Sequence, residues 1–207
     1  MVGWPDRRFL DLVGTEYPII QSPMSNVAGV DLCVAALRGG ALGSLPCGMI
    51  SPDRVREQVA DVREQVSGPI NLNFFCHHMP EMADDSAWRA LLRPYYEEFG
   101  IHEPPAGALR LPFGEAYCTI VEEVRPEVVS FHFGLPEPEL FGRVQAKGAT
   151  ILATATTVPG QNISNNAAST RSSRRGSRQE GIRGDSWTLI RSPRSGYSPC
   201  FRRSSTQ

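Results

Sequence analysis

The sequence predicts an α/β fold with a parallel β-sheet, followed by a C-terminal tail of a different character. Three observations carry this prediction. Short apolar runs alternate with amphipathic stretches through the first 158 of the 207 residues, small and polar residues follow several apolar runs, and the composition changes abruptly after Val158. Parallel neighbouring strands need a connection of a dozen or more residues, usually a helix, and the amphipathic stretches supply it.

The first part of the pattern contains two strands and two helices. Residues 18–23 (PIIQSP) form a short apolar run ended by turn residues, and the helical stretch 30–38 stops at two glycines. Residues 41–45 give a second strand. Ser51 then caps a helix that runs to residue 66, in which valines recur every three or four residues and form one buried stripe.

The second part adds three strands. Residues 70–75 (INLNFF), 127–133 (EVVSFHF) and 150–158 (TILATATTV) are apolar runs of strand length. Helices are predicted before and between the last two, over residues 115–124 and 137–147.

The long connection between Cys76 and Pro112 contains one more predicted helix, residues 87–99. Trp88, Leu92 and Tyr95 recur there at helical spacing. We expect these side chains to pack in the core rather than to contact a substrate.

Two architectures accommodate five strands with helical crossovers, an open doubly wound sheet and part of a TIM (β/α)8 barrel. A doubly wound dinucleotide-binding sheet carries a GxGxxG motif after its first strand, and this chain has none there. TIM barrels build their sites at the C-terminal ends of the strands. Small and polar residues stand at or near the ends of the predicted strands: Gln21, Ser22, Met24, Gly43, Ser44, Asn73 and His132. We therefore predict that residues 1–158 form the N-terminal five βα units of a truncated TIM barrel.

Composition excludes several other classes of protein. No apolar run approaches the roughly 18–20 residues of a membrane helix, and the N-terminal residues lack the basic-then-apolar order of a signal peptide, so a cytoplasmic protein is expected. Five cysteines without a CxxC spacing argue against disulfides and structural zinc. Cys76, His77 and His78 are adjacent and point in alternating directions on a strand end, so no metal site is expected.

Four stretches of the chain resemble the nitronate monooxygenase family, formerly called 2-nitropropane dioxygenases. In chain order they are PIIQSPMSNVAG, GGALGSLPCGMISPDRVREQV, INLNFFCH and RPEVVSFHFGLPEPELFGRVQAKGATILATATTV. The resemblance implies an FMN-bound TIM barrel that oxidises an alkyl nitronate with O₂ to a carbonyl compound and nitrite. Related FMN-dependent enoyl and quinone reductases share the first motif and are the alternative, although FHFGLP favours the monooxygenases.

The resemblance also implies site residues. Pro23 and Met24 match the turn whose backbone approaches the flavin, Asn73 matches the asparagine that hydrogen-bonds it, and His132 on the fourth strand is the candidate catalytic residue. Neutral residues suit a flavin ring, which needs neutral hydrogen bonds. Each residue also has an ordinary alternative: a plain turn for Pro23 and Met24, a satisfied strand-end amide for Asn73, and a core histidine for His132.

Residues 159–207 form a low-complexity tail. They contain nine arginines, eleven serines, no lysine and two acidic residues, so they carry a charge of +7 against −8 for residues 1–158. The family continues here with a helix, a strand and a motif of the form AQGxEAGGHxG, which supplies its catalytic histidine. Synonymous codons can be chosen for the residues from Pro159 onward so that the same DNA also has a second translation. When it is read from the third base of the Pro159 codon, it encodes RPEYLEQRGVDAVIAQGVEAGGHPG. We therefore predict a reading-frame change after about residue 158 and a disordered, out-of-frame tail.

This prediction has consequences for function. The later strands, and the phosphate site that such barrels place after strands 7 and 8, are missing from the in-frame part. We expect weak or no FMN binding, an inactive chain, and an unpaired strand edge prone to aggregation. An alternative from another class interprets the tail as a nucleic-acid-binding arm, since arginine neutralises phosphate.

Overall fold

A computed structural model describes residues 3–79, 84–102, 110–154 and 187–191. Within these residues, six helices accompany a five-stranded sheet. The helices are α1 (Arg8–Val13), α2 (Val30–Arg38), α3 (Pro52–Gln65), α4 (Ser86–Glu98), α5 (Glu115–Val124) and α6 (Pro138–Ala146). The strands are β1 (Gly43–Pro46), β2 (Ile70–Phe75), β3 (Val128–His132), β4 (Thr150–Thr154) and β5 (Trp187–Arg191).

The strands β1 to β4 are parallel and lie side by side in chain order. The first predicted strand is reduced to one parallel bridge, between Ile20 and Leu42, which extends the same order by one position. A doubly wound sheet reverses its strand order at a switch point, whereas a TIM barrel adds each strand beside the previous one. The prediction of the first part of a TIM barrel is therefore confirmed.

The two faces of the sheet differ in polarity because successive side chains of a strand alternate between them. One face packs against the helices and is fully apolar, with Leu45, Leu72, Phe74, Phe131 and Ile151 all buried. The opposite face, which becomes the barrel interior, is largely polar and carries Ser44, Asn71, Asn73, Ser130, His132, Thr150 and Thr154. The hydrophobic core therefore lies between the sheet and the helices, and the opposite face of the sheet is the polar one.

Local signals explain the helix boundaries. The Ser51 hydroxyl accepts a hydrogen bond from the backbone N–H of Arg54 at 3.3 Å, and Pro52 occupies the first helical position of α3, as predicted. Helix α2 approaches β1 so closely that an added Cβ at Gly43 would lie 2.7 Å from the Cys33 sulfur. Glycine is therefore required at this contact.

Two helices differ from the sequence prediction. Helix α1 was not predicted, and its Phe9, Leu10 and Val13 form a second small core with Leu42 and Val128 at the N-terminal ends of the strands. Six residues are too few to show a helical period. Helix α4 was predicted correctly, but the expectation that its aromatic residues pack in the core is wrong.

Helix α4 contributes no buried residue to the described structure. Trp88 and Tyr95 are 66% and 57% exposed. Their spacing identifies the apolar stripe of the helix, but periodicity carries no information about what packs against that stripe.

One short segment of the tail belongs to the described structure. Residues 155–186 and 192–207 lie outside the described residues, but Trp187–Arg191 forms β5 and pairs antiparallel with β4. The expected unpaired edge of β4 is therefore wrong, because this short segment pairs with it. The expectation of a disordered, out-of-frame tail stays a prediction. Tryptophan, threonine and isoleucine favour strands, and an open edge offers hydrogen-bonding partners to such a segment.

Candidate functional site

The candidate site lies at the C-terminal ends of the parallel strands, on the polar face of the sheet. Three hydrogen bonds fix this edge: Cys47 N–H donates to the Asn73 carbonyl at 2.9 Å, Cys76 N–H to that of His132 at 2.8 Å, and Phe113 N–H to that of Phe75 at 2.7 Å. The strand ends are therefore held in fixed register. Side chains placed on them are positioned by the sheet rather than by a loop.

Asn73 is buried on β2 and is held by its neighbour on β3. Its side-chain amide nitrogen donates to the Ser130 hydroxyl at 2.9 Å and to the Ser130 carbonyl at 3.3 Å. The two residues are register partners in the ladder between β2 and β3. These two hydrogen bonds fix the orientation of the amide, and its nitrogen is the donor in both.

His132 ends β3 and is 6% exposed. Burial lowers the pKa of its imidazole to about 4, so the ring is neutral at pH 7. Its Nδ1 lies 3.2 Å from the Thr154 hydroxyl, which also lies 3.4 Å from the Phe131 carbonyl. Because a carbonyl only accepts, the arrangement that satisfies all three groups has Thr154 donating to Phe131 and Nδ1–H donating to Thr154.

Pro23 and Met24 follow the bridge at Ile20, in the turn after the first strand position. Pro23 is half-buried and Met24 is exposed, and Met24 N–H donates to the Ser22 carbonyl at 3.0 Å. Parallel pairing places this turn at the same edge as Asn73 and His132. Among the described residues, no hydrogen bond joins the turn to Asn73.

A second polar row lies deeper on the same face. The Gln21 side-chain oxygen accepts from the Ser44 backbone N–H at 2.7 Å, and the Asn71 amide nitrogen donates to the Ser44 hydroxyl at 3.0 Å. The Asn71 Oδ1 is buried without a hydrogen-bond partner among the described residues. Buried acceptors are usually satisfied, so this atom marks a place where a ligand or water donor fits.

Aromatic rings border the edge. The Phe75 ring lies 5.3 Å from that of Phe133 and 6.4 Å from that of His132. Phe133 has φ of 66°, an uncommon and strained conformation for a bulky residue. A Cβ added at Gly48 would approach the Phe75 ring at 2.7 Å, so the loop after β1 lies directly against this border.

The buried thiols near the edge are not nucleophiles. Burial raises the pKa of Cys76 to about 12 and raises that of Cys47 further. Both thiols therefore stay protonated at neutral pH, and the thiolate is the reactive form.

The His77 side chain contacts the backbone of the segment before α5. Nε2 of His77 lies 2.9 Å from the Arg110 carbonyl. No group of three His, Cys, Asp or Glu side chains suited to a metal ion is found in residues 3–79, 84–102 and 110–154.

None of the helices described is long and apolar enough to cross a membrane.

Sequence reasoning missed Ser130 and Thr154. The period of two on β3 places Ser130 on the same face as His132, so this signal was present in the sequence. The contact of Thr154 with His132 depends on the register between β3 and β4, which the sequence alone does not specify.

The parallel sheet, with polar residues at the C-terminal ends of its strands, has the architecture of the first part of a (β/α)8 barrel. A family model described as nitronate monooxygenase matches residues 6–169. This chain belongs to that family. The match ends 11 residues beyond Val158, and the reading-frame change stays a prediction.

Curated relatives agree with this assignment. A nitronate monooxygenase from Paraburkholderia phytofirmans is 35% identical over 157 residues, covering 72% of this chain and 42% of the relative. One from Pseudomonas aeruginosa is 38% identical, covering 72% of this chain and 44% of the relative. The chain therefore spans less than half the length of these relatives.

Solved structures show the same fold. The nitroalkane oxidase from Streptomyces ansochromogenes has a TM-score of 0.69 at 25% identity, covering 80% of this chain and 46% of that chain. FabK from Thermotoga maritima has a TM-score of 0.56 at 16% identity, covering 80% of this chain and 42% of that chain. The second likeness concerns the fold alone.

Proposed function

We propose that this chain is the N-terminal half of a nitronate monooxygenase barrel and that its polar strand edge contacts the flavin ring and the substrate. The complete barrel would oxidise an alkyl nitronate with O₂ to a carbonyl compound and nitrite, with bound FMN supplying the electron-transfer chemistry. The observation that supports this best is the pair of buried, neutral groups at the edge. These are the Asn73 amide held by Ser130 and the neutral His132 imidazole.

The residues present fit the ring of a flavin. The uracil-like end of isoalloxazine offers one N–H donor and two carbonyl acceptors, all uncharged. With the Asn73 amide nitrogen bonded to Ser130, its Oδ1 is the atom that would accept from a ring N–H. The buried Asn71 Oδ1, which lacks a partner among the described residues, is a second acceptor on the same face.

His132 would act as a neutral hydrogen-bonding group. If Nδ1–H donates to Thr154, then Nε2 is the acceptor nitrogen of the ring. A neutral imidazole in this tautomer suits an N–H or O–H donor of flavin or substrate better than the anionic oxygens of a nitronate. Another group would then stabilise that anion, and the family motif with AGGH would supply it.

Pro23 and Met24 would line the ring from the first turn. The exposed Met24 side chain offers a flexible apolar surface, and proline limits the conformations of the turn.

The phosphate of FMN would be held elsewhere. TIM barrels bind phosphate after strands 7 and 8, at backbone amides and a helix N-terminus. The described residues contain the four parallel strands β1 to β4 and the bridge at Ile20, which together correspond to the first five strand positions of a barrel. We therefore propose that the chain as printed binds FMN weakly or not at all and is inactive. A cytoplasmic location stays a prediction.

The test compares this chain with the protein that the same gene encodes when it is read in the shifted frame from Val158 to the stop codon of that frame. We expect the shifted-frame protein to retain FMN and to release nitrite from an alkyl nitronate. In that protein, Asn73→Ala should weaken FMN binding by about 3- to 10-fold, the worth of one hydrogen bond. The exposed amide variant Gln65→Ala is the control, and equal FMN affinity of both variants would contradict the role of Asn73.

A further inference from the structure

The edge of β4 is paired with an antiparallel strand, a feature that has no part in the proposed function. The four parallel strands add one beside another from β1 to β4, and a (β/α)8 barrel would add its next parallel strand at β4. This chain places β5 there in the opposite direction, with Ala153 opposite Thr188 and Leu152 opposite Leu189. The site of the next barrel strand is therefore occupied by an antiparallel one.

We propose that β5 is an edge cap supplied by the tail, which prevents the β4 edge of one chain from pairing with the β4 edge of a second copy. A strand at a sheet edge presents unpaired N–H and C=O groups and is a template for pairing with another chain. In this chain, the segment that occupies the edge of β4 is β5. This proposal does not depend on the flavin site or on catalytic activity.

The sequence of the segment fits this role. Trp187–Arg191 contains two β-branched residues and one tryptophan, which favour strands. Gly184 and Asp185 precede the segment, and Pro193 follows it. Glycine, aspartate and proline are depleted in strands.

The pairing also includes an irregularity. The register shifts between Ile151 and Leu152, where the partner residue changes from Arg191 to Leu189. An extra residue in one strand increases the local twist and interrupts the ladder. A twisted, interrupted ladder is a poor template for further strands, so β5 also protects its own outer edge.

The backbone of β4 provides matched probes of this cap. The Thr150 N–H donates to the Glu127 carbonyl on the β3 side at 2.9 Å. Since successive N–H groups of a strand point to opposite edges, Leu152 donates toward β3 as well, whereas Ile151 and Ala153 point toward β5. The two pairs of amides belong to one strand and differ only in their neighbour.

The first measurement is amide hydrogen exchange on the full-length chain. We expect the Ile151 and Ala153 amides to be protected from exchange, because β5 covers them. Exchange of these two amides at the rate of an unpaired amide, with Thr150 and Leu152 still protected, would overturn the proposal without any variant.

The second measurement uses proline, which removes a backbone donor and is not accommodated inside a paired strand. In the variant with Thr188→Pro and Ile190→Pro, exchange at Ile151 and Ala153 should accelerate by about tenfold or more, with Thr150 and Leu152 unchanged. The variant should also self-associate in sedimentation velocity at concentrations at which the parent chain is monomeric. Ser172→Pro with Ser177→Pro is the matched control within the tail.

A proline variant that loses protection at Ile151 and Ala153 and stays monomeric would overturn the shielding role. A variant that loses protection at all four amides has unfolded, and the exchange pattern of the parent chain then decides. Self-association of the parent chain to the same extent as the proline variant would also contradict the proposal.

Discussion

At the scale of single residues, the site depends on polar groups buried in fixed pairs. The Asn73 amide nitrogen donates to Ser130 on the neighbouring strand, and Thr154 joins His132 to the Phe131 carbonyl. These pairs make the polar face of the sheet compatible with burial. They also fix the chemical form of His132, which burial keeps neutral.

The neutral state of His132 predicts a dependence of stability on pH. The folded pKa of about 4 lies below the unfolded value of about 6.5, so the unfolded chain binds more protons between these pH values. The free energy of unfolding should therefore fall as the pH falls from about 6.5 to 4, by at most about 3 kcal/mol. Urea unfolding at several pH values would measure this.

His132→Gln provides the control, because glutamine does not titrate. We expect this variant to lose most of the pH dependence in that interval while retaining the contribution of the carboxylates at lower pH. An unchanged pH profile in the variant would show that other groups cause the dependence.

Glycine positions give a second prediction. Gly43→Ala should destabilise the fold by about 1–3 kcal/mol, because the new Cβ would meet the backbone oxygen of Cys33 at 2.8 Å as well as its sulfur. Gly142→Ala, an exposed helical position with no atom within 4 Å of the new Cβ, should stabilise it by about 0.5–1 kcal/mol. Chemical unfolding of both variants tests the packing of α2 on β1, and equal effects would contradict it.

At the scale of elements, the strands and helices of the parallel sheet follow from periodicity. The helices α2 and α5 and the strand β2 begin and end at the predicted residues. Helix α4 was predicted from its periodicity, but its burial could not be predicted. The spacing of apolar residues indicates which face of a helix is apolar, but not whether another part of the chain covers that face. Strand β5 shows another limit, since its pairing depends on an edge left open far away in the sequence.

The exposure of α4 predicts a contrast between two aromatic residues. Trp88→Ala should change the free energy of unfolding by no more than about 0.5 kcal/mol, because the ring is largely exposed. Phe74→Ala should cost about 3–5 kcal/mol, because that ring is fully buried between Phe113, Tyr117 and Phe131. Thermal or urea unfolding compares the two, and a large loss for Trp88→Ala would show that α4 is packed.

At the scale of the whole molecule, the chain is the first part of a barrel joined to a tail of opposite charge. The family and the fold could be predicted from the sequence because the family's motifs follow one another in the family's order between residues 18 and 158. The roles of Pro23, Met24, Asn73 and His132 stay predictions, since they depend on a ligand and on the part of the barrel that the relatives possess beyond this match. The structure adds the partners that hold two of these residues in place.

The decisive measurement is the FMN content of this purified chain beside that of the protein encoded by the same gene when it is read in the shifted frame from Val158 to the stop codon of that frame. We predict that this chain is colourless and that the shifted-frame protein is yellow and releases nitrite from an alkyl nitronate. Stoichiometric FMN in the printed chain, or none in a folded shifted-frame protein, would contradict it.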